Sequence, residues 1–524
     1  MGRITIFTAE GCPHSRRTMS ALERHCIPYT EISVTRHPMK RKDMLVLSSR
    51  MSAPQVFFNT RHIGGADETI ALLEEWDTDK RRHESAYNRF IAEIDAYPDP
   101  LNPRFSVPNE DNPDALEVAR MNEYPIILPG GARVNTVDIT EKLKKVLPRS
   151  NNFLKVHKYR KSFTGRQAVR CFMQAFDLKE PGAIQLGGQL QENGILNCVE
   201  GENIVFQPSG TLFRLQCDTS PEVLNSYCIW QDEVDPDPIR LIKRLMAILR
   251  RVESSLFDDT GRIAYADAHR LASFAKFEEA MCELQNMNLE PLKNEQIKLA
   301  FGMNLYNLMI KYAFMKVGAG ATDFGRAAFF NTVKFNLGGL IFSLQEWEHG
   351  ILRANRKAPY TLSPQLGKKD ERLALAMKDV DCRIHFGLNC GAKSCPPVSC
   401  FSEDNVEEEM RLVAIAFCED DDNVQVDTDK HELRLSKIFY WYRADFAENN
   451  RKLPAAIVPY LRGRKRQAVE NMIDRGVSIK VSFMDYDWST NASSIMQFEP
   501  AQLKMRKKDM RRAIKKKVGD LLVA

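Results

Sequence analysis

Residues 78–135 limit the fold of this chain more than any other stretch. They are polar and proline-rich, with YPDPLNPRFSVPNEDNPD at 97–114 as the least structured part. Proline lacks an amide donor and fixes φ, so neither a continuous helix nor a central strand runs through such a segment. A single core therefore cannot span it. The 524 residues also exceed what one core holds, and about three domains are expected. The pattern of strands and helices reads as an α+β multidomain protein. We expect units at 1–77, 150–217 and 295–446. A connection with some helix lies between them at 78–149, a helical linker region at 218–294, and an extension at 447–524.

Hydrophobic residues make up 44% and charged residues 27%, the balance of a soluble globular protein. No run of 18 apolar residues is present, so no membrane span is expected. MGRITIFTAEG lacks the basic and apolar regions of a secretory signal, and Ile6 argues against myristoylation. Twelve cysteines are too sparse for a disulfide scaffold and read as thiols in a reducing, cytoplasmic setting. Residues 503–518 carry nine Lys or Arg against Asp509, a local +8 that leaves the remainder at −3 out of a net +5. The chain has a basic tail and is not a basic protein. In that tail Leu503, Met510, Ile514 and Leu521 form a stripe suited to a helix on an anionic membrane, to a calmodulin-type target, or to packing on the third unit.

ITIF at 4–7 reads as a strand, followed by a helix over 13–25, a strand at 29–34, and a further strand in APQVFF at 53–58. Cys12 falls between the first strand and helix. Unpaired N–H groups and the helix dipole favour an anion there, which raises the thiolate fraction. GCPHS at 11–15, SAPQVFF at 52–58 and HIGGADE at 62–68 resemble the glutaredoxins in order and spacing over residues 3–77. The resemblance implies a thioredoxin-like α/β fold. It makes Cys12 the nucleophile and Pro54 a cis-proline that leaves the Ala53 backbone free for glutathione. It places Gly64 and Gly65 against the glutathione carboxylate and Asp67 against its ammonium. Ser15 stands where the dithiol forms carry a resolving cysteine, so the implied chemistry is monothiol, with protein disulfides and glutathione as partners. CPHS differs from the CGFS type at its second and third positions, and an iron–sulfur cluster is not expected. Glutaredoxins usually carry a Lys shortly before the motif; here Glu10 adds repulsion to thiolate and ligand, with Arg16, Arg17 and the KRK at 40–42 as compensation.

In the second unit KSFTGRQAV at 161–169, LGGQLQENGI at 186–195 and LFRL at 212–215 resemble the winged-helix-like DEP domain of signalling proteins. Thr164 reads as a helix N-cap, and Ala168, Val169 and Phe172 as a buried face. Lys155, Lys158, Arg160, Lys161, Arg166 and Arg170 give a basic surface. The resemblance implies a receptor or an anionic membrane surface as partner, with peripheral localisation. No base-reading pattern points to a specific nucleic acid.

In the third unit His385, Cys390, Cys395 and Cys400 fall five residues apart in HFGLNCGAKSCPPVSC. Zinc ligands usually pair two to four residues apart, so no metal is expected. CRIHFGLN alternates as a strand would, turning His385 away from Ile384, Phe386 and Leu388. Pro396 and Pro397 break the chain after Cys395. Asn304 and Asn307 share a helical face, Ser343 and Glu346 form a capping box, and His349 follows. Two readings stand. Cys395 and His385 form a nucleophilic pair at a pocket that Asn304 and His349 also line, or the amides and histidines satisfy one another in a polar core. NLYN, GGLIFSLQEWEHGILR, RIHFGLNCGAKSCPP and SKIFYWYRADF resemble domain of unknown function 547, a resemblance that implies no reaction.

Taken together, these features lead us to expect a glutathione-linked thiol-disulfide oxidoreductase positioned by a DEP-like module. The alternative is a signalling scaffold or redox sensor whose first unit only binds.

Overall fold

The structure is a computed structural model that describes residues 4–25, 27–82, 126–129, 131–154, 157–201, 204–258, 260–359 and 361–500. The proline-rich stretch over 83–125, Lys155 and the basic tail lie outside the described residues.

The first unit is built on β1 (Ile4–Thr8), β2 (Thr30–Ser33), β3 (Gln55–Phe58) and β4 (Arg61–Gly64), in the order β2-β1-β3-β4. Strand β1 runs parallel to β2 and antiparallel to β3. All five residues of β1 are buried. Successive side chains of a strand point to opposite faces. Thus Ile4 and Ile6 join Ala21 and Leu22 of α1 (Pro13–Arg24) and Leu73 of α3 (Ala66–Arg82). Phe7 joins Ile32, Phe57 and Met44 of α2 (Lys40–Ser48) on the other side.

The second unit carries a sheet of Ser150–Leu154, His157–Thr164, Leu212–Leu215 and Leu196–Cys198, in that spatial order. Thr164 caps Gly165–Phe176: its hydroxyl accepts the Gln167 N–H, and the Gln167 side chain accepts the Thr164 N–H at 2.8 Å. The helix Glu180–Glu192 follows, and Ala168, Val169 and Phe172 are buried.

The third unit surrounds Glu295–Val317, a 23-residue helix buried on nearly every side. A helix apolar all round is a core helix. Its core runs from Leu224 to Phe498, so residues read as linker and extension contribute to it. Ile242, Leu245, Leu249 and Val252 of Pro238–Ser254 pack on this core as one stripe. Lys480–Phe483 adds a parallel strand beside Glu432–Leu435, and Ala492–Ser494 pairs with Ile263–Ala264. The expected strand at 382–389 is instead a 3-10 turn over Cys382–Phe386. Asp381 starts it by accepting the Arg383 N–H at 2.9 Å, and Asn307 holds the Gly387 carbonyl at 2.9 Å. Ile384 and Phe386 are buried, and so is His385, which an alternating strand would have left outside.

The first and third units are docked. Lys42 pairs with Glu408 at 2.6 Å, the Met51 N–H reaches Glu419 at 3.0 Å, and the Cys400 N–H reaches the Thr35 carbonyl at 2.8 Å. Met51 packs against Leu412 and Ile415. Among the described residues no helix is long and apolar enough to cross a membrane.

Candidate functional site: a thiol cleft between two domains

Cys12 is the N-cap of α1, with extended backbone, and Pro13 opens the helix. Its thiol points to the Ala53 carbonyl at 3.8 Å, and the Ala53–Pro54 peptide is cis. The glutaredoxin elements thus converge: strand β1 delivers Cys12, the loop before β3 delivers Ala53 and Pro54, and the β4–α3 turn delivers Gly64 and Gly65. Gly64 has φ +134°, and a Cβ there would come within 2.9 Å of the Glu68 side chain. The Gly65 N–H donates to Glu68 at 3.0 Å. Asp67 is exposed and faces Arg17 at 3.5 Å. Ser15 is buried, and its hydroxyl accepts the Ala9 N–H at 3.1 Å.

Two charged neighbours set the field. Arg41, from the KRK run, is buried and donates to the Met51 carbonyl at 3.0 Å. Burial lowers its guanidinium to about 10 against the attraction of Cys12 and Glu419. Glu10 does not act as a bare repulsive charge. It pairs with Arg36 at 2.8 Å and with Arg250 of the third unit at 3.6 Å. Burial raises its carboxyl, and Arg250, Lys311 and Arg36 oppose that rise.

The third-unit residues separate into two places. Cys395 lies against Cys390, with sulfurs 2.9 Å apart, and against the Tyr486 hydroxyl at 3.1 Å. The Cys390 N–H donates to the Cys395 sulfur at 3.2 Å. Burial would raise the Cys395 thiol, but the hydrogen bonds from Cys390, Tyr486 and nearby backbone outweigh it and bring the thiol to about 7. Cys390 moves the opposite way, raised first by its bond to Cys395 and then by burial. Gly391 makes this turn, with φ +86°, and a Cβ there would sit 2.2 Å from the Phe314 ring.

His385 is elsewhere. Its Nε2–H donates to Asp445 at 2.8 Å, and its ring stacks on Tyr442 with centroids 3.8 Å apart. Arg353 donates to Asp445 through Nε at 2.7 Å and through Nη2 at 3.0 Å, and to His349 Nδ1 at 2.9 Å. Tyr306 and Tyr442 both donate to Glu348. Asn304 bonds both backbone groups of Phe401, and Asn307 bonds the Gly387 carbonyl and the Asn389 N–H. Among the described residues no hydrogen bond joins Cys395 to His385, and the cavity that Cys395 lines does not include His385, Asn304 or His349. The amides find backbone partners rather than histidines, because the turn at 387–389 and the loop at 401 present unpaired groups to that helix face. Asp445 and Tyr486 were not singled out from sequence. The YRADF motif held one of them in view, and no local signal marked the other.

Cys12 and Cys395 line one cavity of about 630 Å³ at the junction of the two units, with Arg41, Ala53, Lys311 and Lys393. Among the described residues no group of three or more His, Cys, Asp or Glu is placed to hold a metal.

A thiol capping a helix, beside a cis-proline loop on a four-stranded sheet covered on both faces, defines the thioredoxin-like class. Residues 4–63 match the family model described as Glutaredoxin. Glutaredoxin 3 of Escherichia coli (strain K12) is 33% identical over 72 residues, which span 14% of this chain and 87% of that protein. Glutaredoxin 1 of Rickettsia prowazekii (strain Madrid E) is 29% identical over 79 residues, 15% of this chain and 83% of that protein. The chain belongs to the glutaredoxin family through this N-terminal domain. Residues 289–418 match a second family, described as protein of unknown function, DUF547.

Proposed function

We propose that the chain is a glutathione-linked thiol-disulfide oxidoreductase with Cys12 as its single nucleophile. The observation that carries this reading is the placement of Cys12 at the start of α1, next to the Ala53–Pro54 turn and the buried Arg41. A thiol at a helix start, beside the cis-proline turn and lining a cavity, is placed to attack a disulfide sulfur. Cys12 takes the glutathionyl group from a mixed disulfide and a second glutathione, a substrate here, frees it. Ser15 cannot resolve the adduct, so turnover depends on that second thiol. Arg41, Lys311 and Lys393 supply positive charge toward a ligand with two carboxylates. The sheet and helices over 150–217 support a DEP-like module, whose basic surface would meet an anionic lipid or a receptor.

The test uses the mixed disulfide of glutathione and 2-mercaptoethanol. The full chain should turn it over, Cys12→Ser should abolish turnover, and Ser15→Ala should keep it. Equal rates for the full chain and Cys12→Ser would remove the enzyme reading.

A further inference from the structure

In this chain the face that carries Cys12 is occupied by the third unit. Lys42–Glu408, Met51–Glu419 and Thr35–Cys400 contacts fasten the loops around the thiol, and Asn491 reaches the Gly11 carbonyl at 3.4 Å. The space left at Cys12 is a cavity of about 630 Å³. Small-molecule pockets run to roughly 300–1,000 Å³, a range that holds a tripeptide thiol. The lining of this cavity also includes Cys395, whose neighbour Cys390 is 2.9 Å away by sulfur, against about 2.05 Å in a disulfide. Two thiols in such contact, five residues apart and one of them on the cavity that Cys12 lines, are placed so that a short shift would close a bond between them.

We propose that Cys390 and Cys395 form a reversible disulfide and that Cys12, working with glutathione, is its dedicated reductant within the same chain. This rests on the reading of Cys12 as glutathione-linked. Three exchanges complete the reduction. Cys395, the member that lines the cavity, trades its bond to Cys390 for a bond to the glutathione sulfur; Cys390 leaves as thiolate and takes up a proton from solvent. The Cys12 thiolate then attacks the glutathione sulfur, the bond to Cys395 breaks, and Cys395 leaves as thiolate. A second glutathione thiolate attacks the glutathione sulfur on Cys12, freeing Cys12 and forming glutathione disulfide. Two glutathiones are oxidised and one protein disulfide is reduced. Tyr486 and the Cys390 N–H hold the leaving Cys395 sulfur. The low thiol value at Cys395 suits this second step, because a lower leaving-group value speeds departure. The same path runs backwards under excess glutathione disulfide, which would make the pair a sensor of that ratio.

The test uses the full chain. Diamide-oxidised protein is given glutathione, quenched with iodoacetamide over time, and mapped by peptide mass spectrometry for the Cys390–Cys395 bond. Holding both partners in one cavity should make the wild type lose this bond about tenfold faster or more than Cys12→Ser. Cys12→Ala serves as a second variant, with near-ultraviolet circular dichroism as the folding check. The same samples are assayed on the mixed disulfide of glutathione and 2-mercaptoethanol. Normal turnover of that compound with equal bond loss in wild type and Cys12 variants would overturn this inference and leave the enzyme reading standing. Loss of both signals in the wild type would overturn the enzyme reading and this inference with it. Failure of diamide to join Cys390 to Cys395 would overturn the inference alone.

Discussion

Asp445→Asn isolates the charge at the centre of the third domain. The Asp445 side chain is 0% exposed and that of Arg353 4% exposed. Its two oxygens accept from Arg353 at 2.7 and 3.0 Å, from His385 at 2.8 Å and from Arg356 at 3.2 Å. Burial would lift this carboxyl, yet the bonds from His385 and Arg353 outweigh it and hold it well below the usual carboxylate range. Asparagine has the same shape, so no cavity opens. The change removes the charge and turns one acceptor into a donor facing a donor. Removing one partner of a buried ion pair typically costs about 3–5 kcal/mol, because the other charge stays buried and unpaired. Three of the five tryptophans, Trp347, Trp441 and Trp488, lie in this domain, so fluorescence during urea unfolding reports chiefly on it. A loss of that size moves the midpoint by about 1 M. A shift worth less than about 1 kcal/mol would show that Arg353 and His385 find other partners or water, and would refute the network as a support of the fold.

Two further outcomes are expected. His349 is lowered to about 4, by burial first, with Arg353 and His385 lowering it further and Glu348 and Asp445 opposing. Its folded value lies below the ordinary 6.5, so the unfolded chain binds more protons between the two. Stability is therefore full above about pH 6.5 and falls toward pH 4, by about 3 kcal/mol from this residue; urea midpoints measured across that range should fall, and His349→Gln should flatten the slope. Glu10→Lys would place a cation beside Arg36 and Arg250 and cost about 1–3 kcal/mol without lowering KM for glutathione. Tighter glutathione use with an unchanged urea midpoint would contradict the pairing of Glu10 at the domain junction.

Features set by neighbours in sequence could be read from sequence. The order of β1, α1, β2 and β3 follows from short apolar runs, Pro13 and the Ala53-Pro54 turn. The Thr164 cap needs Gln167, three residues away, and the Ser343 cap needs Glu346 at the same spacing. The shared face of Asn304 and Asn307 follows from helix periodicity, although their partners do not. What sequence concealed depends on distant pairing. Tyr486 meets Cys395 across 91 residues, and Asp445 meets His385 across 60. The alternation of CRIHFGLN was read as a strand because period 2 is the strand signal, but Asp381 caps a turn there and both sides of the segment are buried.

The same distance effect explains how this chain departs from the glutaredoxin pattern at Glu10. Taken alone, Glu10 looks unfavourable, since it stands where a cation would meet the ligand. Across the domain junction it meets Arg250, so this position contributes here to an interface. Burial at that junction also selects the sulfur chemistry opposite. His385 and Cys395 belong to one motif, yet no hydrogen bond joins them among the described residues. His385 points inward to Asp445, and Cys395 points to the cleft that holds Cys12. His385 makes its hydrogen bond to Asp445 and none to Cys395 among the described residues. Cys390, Tyr486 and the backbone bond to Cys395 instead. The cysteine turn thus holds two sulfurs in contact, one of them on the cavity that Cys12 also lines.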